Sequence, residues 1–286
     1  MLRAILGALV KSVRRDFTGF GSLKTNNFFL FVALIIDGAL VSGIAPISAY
    51  PFLLVLAVLM LVPMMGSLLN KIPRVRLGLW PLTPLWRAVL SVWRRRFVGA
   101  GRRARIGGGG LIANNLRQML TVLDTYLALF IGAAGGFWRL LSQHPDPAAF
   151  PILSLLAALA LSTYAQCLFA LDGESGMTRY RLLPLPGWRI VLAKDAAFLA
   201  LLLVAVLPLS IAQGLAFGLT ALALGRYSSM HVRTPIERWR FTSGRVLWGV
   251  LQMIAGATLG FAAAVPIAVA LYLLSLWWAG RQWDQR

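Results

Sequence analysis

Acidic side chains are scarce in this chain: nine Asp and Glu stand against 28 Lys and Arg, and charged residues of both signs make up only 13%. A soluble domain carries about a quarter, so a fully hydrated globule fits poorly. Histidine (two) and cysteine (one) are scarcer still. His144 and His231 fall in separate loops, and Cys167 lies in an apolar run. That excludes an intramolecular disulfide and leaves no Cys or His cluster to hold a metal. Also absent are G-x-x-x-x-G-K-[ST], H-E-x-x-H and G-x-S-x-G. Their absence removes phosphate-loop ATP hydrolysis, zinc-peptidase chemistry and serine hydrolysis from the readings. The run Gly107–Gly110 lacks the Lys that would have to follow it. No enzyme activity, metal or cofactor is expected.

What the chain has instead is apolar length. Hydrophobic residues make up 59% of its 286 positions, and the mean hydropathy is +0.75. A crossing of the hydrocarbon core takes roughly 20 mostly apolar residues. Phe28–Pro46, Pro51–Leu69, Met119–Trp138, Phe150–Leu171 and Leu247–Ala279 all qualify, and Ala196–Gly225 is a sixth apolar block. The expected fold is all-α, a polytopic transmembrane helical bundle of about six to eight membrane segments, with the lipid bilayer as its surroundings. The net charge of +19 would point a soluble protein toward nucleic acid. Here the cations sit in loops between apolar runs and lack interleaved stacking aromatics, so no nucleic-acid partner is expected. The first fifteen residues place Leu2, Ile5, Leu6, Leu9 and Val13 on one helical face, with Lys11, Arg14 and Arg15 mostly elsewhere. That pattern fits a basic helix on the membrane surface or an ordinary cytosolic tail.

Cation placement sets the orientation. The tail to Asn27, the connector 70–118 and the connector 172–194 together hold twenty Lys and Arg, whereas the intervening segments 47–50 and 139–149 hold one. The N-terminus and both connectors therefore face the cytoplasm. The two connectors also align. Arg76, Leu79, Pro81, Leu82, Pro84, Trp86 and Arg87 match Arg179, Leu182, Pro184, Leu185, Pro186, Trp188 and Arg189, with Thr83 inserted. Each would close one helical hairpin, which gives a parallel repeat. The chain then divides into a basic segment 1–25, a first hairpin with its basic loop 26–112, a second hairpin with its connector 113–195, and a C-terminal membrane region 196–286. Within that last region, Ala196–Gly225 is read as a short or re-entrant hairpin turning near Pro208, and Val246–Ala279 as an interfacial stretch followed by a span through Pro266.

Two carboxylates, Asp37 and Asp124, fall within apolar spans. Charge in hydrocarbon is costly and normally faces a partner or a watery cavity. Each is read either as the polar lining of a translocation path or as a structural hydrogen bond between helices. Three Gly-x-x-x-Gly pairs, Gly132/Gly136, Gly214/Gly218 and Gly256/Gly260, permit close helix approach, but 27 glycines provide about that many by chance. The connector after the fourth span is the most specific segment. Gly173 and Gly176 break the helix leaving the membrane, Asp172 and Glu174 are acids among bases, and Pro184 and Pro186 forbid a continuous helix. Trp188, Val191 and Leu192 then form an apolar stripe on a short helix ending at Lys194, suited to a membrane surface or to a groove on a partner.

These residues resemble the cytoplasmic coupling segment of ATP-binding-cassette (ABC) transporter permeases of the type 2 exporter superfamily. The matching stretches are Asp172-Gly173-Glu174-Ser175-Gly176, Leu182-Leu183-Pro184-Leu185-Pro186 and Arg189-Ile190-Val191-Leu192-Ala193-Lys194. KIPRVRLGLWPLTP, LDTYLALF, STYAQCLFALDGESG and RWRFTSG are similar to uncharacterised bacterial permease-like proteins of this kind. The resemblance implies an exporter subunit, homo- or heterodimeric, whose coupling helix docks on a separate ATPase. It assigns partner contact to Asp172, Glu174, Gly176, Leu183, Pro184, Pro186, Arg189, Val191, Leu192 and Lys194, and a second contact to Pro81, Pro84, Trp86 and Arg87. The family pattern has one such segment followed by four spans, whereas this chain repeats the segment and has little beyond it. Two other classes remain open: a non-transporting membrane scaffold or assembly factor, and an ion-coupled secondary transporter built on Asp37 and Asp124.

Overall fold

The computed structural model describes residues 108–172, 182–183, 185–231, 241–242 and 244–284, with isolated positions 55, 59, 62, 63, 178 and 180. Asp37, the first hairpin apart from those isolated positions, the connector carrying Pro81, Pro84, Trp86 and Arg87, and the positions Glu174, Gly176 and Pro184 lie outside the described residues. Among the described residues every regular element is helical. The elements are α1 (Gly108–Met119), α2 (Leu123–Leu141), α3 (Ala149–Ala165), a 3-10 turn (Ala170–Asp172), α4 (Gly187–Val206), α5 (Ile211–His231), α6 (Val246–Phe261) and α7 (Val265–Asp284).

Local chemistry sets the breaks. The chain bends by 84° between α1 and α2, where the Thr121 hydroxyl donates to the Gln118 carbonyl at 2.6 Å and diverts the backbone from helix. Before α3, Asp146 Oδ1 accepts from the Ala148 amide at 2.9 Å, an Asx turn ahead of the first helical residue. Pro186 stands extended at the N-cap of α4 (φ −62°, ψ 142°), as a residue that cannot continue an upstream helix must. Leu207 to Ser210, including Pro208, separates α4 from α5. Between α6 and α7, Ala263 adopts φ 47°, and Pro266 follows in the first turn of α7, where its missing N–H is harmless.

Side-chain contacts fix the directions. Leu202 abuts Gly218 and Val206 abuts Gly214, so α4 and α5 run antiparallel. Leu153 abuts Gly135 and Trp138 meets Phe150 with centroids 5.8 Å apart, so α2 and α3 do the same. Tyr227 near the end of α5 touches both Trp248 at the start of α6 and Trp278 near the end of α7, so these last two also form a hairpin. α5 is the central element, packed by α3, α4, α6 and α7. Phe198, Phe217, Tyr164, Leu202 and Leu222 fill the interior around it. α1 lies across one end of the bundle against α4, with Leu111, Asn115, Gln118 and Met119 buried and Ala113 and Arg117 exposed.

Two expectations need correcting. α4 does not end at Lys194 but continues to Val206. Stretch 246–279 is not one span entered through an interfacial segment, because it folds back as α6 and α7 with Pro266 beginning the second arm. The hairpin expected within Ala196–Gly225 is present, and its arms extend outward to Gly187 and His231. Among the described residues no single helix is long and apolar enough to cross a membrane; the bent pair Gly110–Met119 and Leu123–Leu141 is, by length and composition.

Candidate functional site

The start of α4 carries two ionisable residues side by side, Lys194 and Asp195, both buried. Successive helical residues point about 100° apart, and these two reach different parts of the molecule. The Lys194 ammonium donates to Asp172 Oδ2 at 2.5 Å, the Leu168 carbonyl at 3.0 Å and Asn115 Oδ1 at 3.3 Å. Its three N–H groups therefore have three acceptors. It also lies 4.9 Å from the Phe169 ring centroid and 5.0 Å from that of Tyr180, within reach of both quadrupoles. Asp172 is equally engaged, since its Oδ1 accepts from Gln118 Nε2 and from the Tyr180 hydroxyl, each at 2.9 Å. This node binds α1, the 3-10 turn, the connector and α4 together. Lys194 and Asp172 side chains are only 2% and 8% exposed, so the pair is desolvated and relies on these extra bonds.

Asp195 faces the other way. Its Oδ2 accepts from Arg226 Nη2 at 2.8 Å and from the Tyr272 hydroxyl at 3.0 Å. Arg226 Nε donates to Ser275 Oγ at 3.1 Å, and the guanidinium lies 5.4 Å from the Tyr272 centroid. This second node ties α4 to α5 and α7. A third, uncharged node joins α3, α5 and α6. Gln166 Nε2 donates to Gln252 Oε1 at 2.6 Å, Gln252 Nε2 donates to the Ala221 carbonyl at 2.7 Å, and Gln166 Oε1 accepts from the Arg245 amide at 2.8 Å.

The residues expected to meet a partner are thus divided by burial. Asp172, Val191 and Lys194 point inward. Trp188, Leu192 and Leu182 are 44%, 39% and 79% exposed, Arg189 and Pro186 are exposed, and Leu183 is half-buried. The expected stripe is therefore split: Val191 packs into the cluster with Phe169, Tyr180, Ile190 and Trp283, while Trp188 and Leu192 stay outside. Asp124 is buried, with Oδ1 accepting from the Thr163 hydroxyl at 3.1 Å and Oδ2 from the Thr242 amide at 2.8 Å. Both its oxygens hold elements together. Among the described residues no group of His, Cys, Asp and Glu could hold a metal ion.

Sequence reasoning missed Asp195, Arg226, Gln166 and Gln252. A signal for the first pair was available: Asp195 and Arg226 bracket the charge-free block 196–225, and any symmetric hairpin through that block brings its two ends together. The two glutamines lie 86 residues apart in unrelated apolar runs, and no local pattern links them. No family model, curated protein or solved structure matches the chain.

Proposed function

We propose that the chain is the membrane-embedded, permease-like subunit of a bacterial inner-membrane transporter worked by a separate ATPase, with the start of α4 as its docking surface. The observation that carries this reading is the construction of α4. Its first turns offer Trp188, Arg189 and Leu192 outward, and its next residues, Lys194 and Asp195, are bonded into the bundle on two sides. A push on the exposed turn is delivered to α1, α5 and α7 without a flexible joint in between. The chain has no phosphate-binding loop of its own, and in this reading the partner supplies ATP hydrolysis.

A membrane setting is supported by α6, which is built inside out. Its buried face carries Gln252, Gly256 and Gly260, spaced four apart, and its exposed face carries Val246, Leu247, Val250, Leu251, Met253, Ile254 and Phe261. Water would favour the reverse arrangement, whereas small and polar residues inside with aliphatics outside suit lipid. Charge is also confined to one end of α4 to α7, because segments 196–225 and 246–280 contain no Asp, Glu, Lys or Arg. The buried charges of α4 and α5 are paired, Lys194 with Asp172 and Asp195 with Arg226, as low-dielectric surroundings require. The ion-coupled alternative finds less support, since Asp124 has both oxygens committed to structural bonds.

Co-expression with an ATPase encoded nearby tests the proposal. The tagged chain is expected to capture that ATPase from detergent extracts, and Trp188→Glu with Leu192→Glu to reduce capture at least tenfold. Capture unchanged by these substitutions would overturn the docking surface. An inability to recover any ATPase partner would favour the scaffold reading.

A further inference from the structure

The helix ends at the charged side of the bundle share a pattern the docking surface does not use. Near these ends α5, α6 and α7 each carry an aromatic residue with a basic residue about one turn further out. The pairs are Tyr227 with His231, Trp248 with Arg245, and Trp278 with Arg281. The three aromatics converge, with Tyr227 5.6 Å from Trp248 and 6.0 Å from Trp278 between ring centroids. His231 stacks on Tyr227 at 4.5 Å, and the Arg281 guanidinium sits 4.2 Å from the Trp277 centroid. Arg245 and Arg281 are exposed, and among the described residues neither meets a carboxylate. No acid lies in the 35 residues between the two arginines.

We infer that this cluster is a binding surface for the headgroup of an anionic phospholipid. The inference rests on the membrane setting proposed above. Amphipathic aromatic rings settle at the depth of the headgroups, and bases one turn outward then stand level with lipid phosphates. A zwitterionic headgroup brings its own ammonium and would leave the two arginines uncompensated, whereas an anionic one neutralises them. Attraction to an anionic leaflet changes binding by about fivefold for each Lys or Arg at the surface. The occupant is a lipid because the aromatic platform and the adjacent exposed faces of α6 and α7, with Val250, Ile254, Leu273 and Leu274, continue the site along acyl chains.

The test is a lipid titration of the detergent-solubilised, delipidated full chain, read by native mass spectrometry. Phosphatidylglycerol is expected to bind more tightly than phosphatidylcholine of the same chains. Arg281→Gln should lower that preference about fivefold, and Arg245→Gln with Arg281→Gln about 25-fold. Arg281→Lys should keep most of it, which separates charge from fold damage. Equal binding of the two lipids overturns the inference, as does a preference unchanged in the double variant. Displacement of phosphatidylglycerol by millimolar inorganic phosphate would also overturn it, by showing a free-anion site. Loss of ATPase capture in the double variant with lipid binding intact would make the surface a protein interface. Carbonate extraction of the chain from membranes tests the underlying setting: a chain released by carbonate removes both proposals, while a retained chain without lipid preference removes only this one.

Discussion

Removing one partner of a buried ion pair strands the other without solvent. Lys194→Met takes the ammonium away from the buried Asp172 carboxylate and from the Leu168 and Asn115 acceptors, and should destabilise the protein by about 3–5 kcal/mol. Combining it with Asp172→Leu should restore most of that loss, because two apolar side chains need no compensation. Thermal unfolding of the detergent-solubilised variants measures both, and a single variant as stable as the parent would refute the network's role. At this scale the sequence was a partial guide. Asp172 and Lys194 stood out as unusual, but their use was hidden: Lys194 bonds Asn115 across 79 residues and Asp172 across 22. A Lys at the end of a short amphipathic stretch looks like a helix terminus, and only its distant partners allow the helix to carry it inward.

Helices in this bundle meet where side chains are missing. A methyl group at Gly132 would overlap the Ala205 carbonyl, one at Gly218 the Leu202 side chain, and one at Gly260 the Leu155 side chain. Gly249 differs, since its nearest neighbour, Gln166 Nε2, would lie 3.6 Å from an added methyl. Gly132→Val and Gly218→Val are therefore expected to abolish recovery of monodisperse protein, and Gly249→Ala to leave it intact. Size-exclusion profiles distinguish the outcomes, and tolerance of both Val variants would sink the close-approach argument. Ala263 offers the opposite opportunity. Its left-handed backbone disfavours any side chain by about 1–2 kcal/mol, so Ala263→Gly should raise the unfolding temperature, and a lowered one would count against strain there. The Gly-x-x-x-Gly spacing was visible in the sequence but no more frequent than chance. What makes Gly132, Gly218, Gly256 and Gly260 matter is the opposing surface, which spacing does not encode. The turn at Pro208 was easier to read, because a proline stood near the middle of an apolar block too long for one crossing, whereas the turn at 262–264 was missed because the apolar run continues through it.

For the whole molecule, composition announced the helical architecture seen in the described residues. Which face of each helix would turn outward was not legible, since α6 is apolar on nearly every side and only Gln252 marks its inner face. The exposed positions Leu251 and Ile254 now give a decisive comparison. Lys at a solvated surface position changes stability by less than about 0.5 kcal/mol, but near the middle of a bilayer it opposes insertion by about 2.5–3.5 kcal/mol. Leu251→Lys with Ile254→Lys is expected to shift the chain out of the membrane fraction; unchanged partitioning would refute lipid contact along α6. The adjacent pairs of Lys194 and Asp195, aimed to different sides of α4, carry a last mechanical consequence. A helix held by one bond on one side can spin about its axis. α4 is held by two, about 100° apart, so any spin that slackens one must break the other. It is keyed like a shaft, closed to rotation and open only to tilt or axial slide, and a load applied at Trp188 must reach the Ala205–Gly132 crossing in one of those two forms.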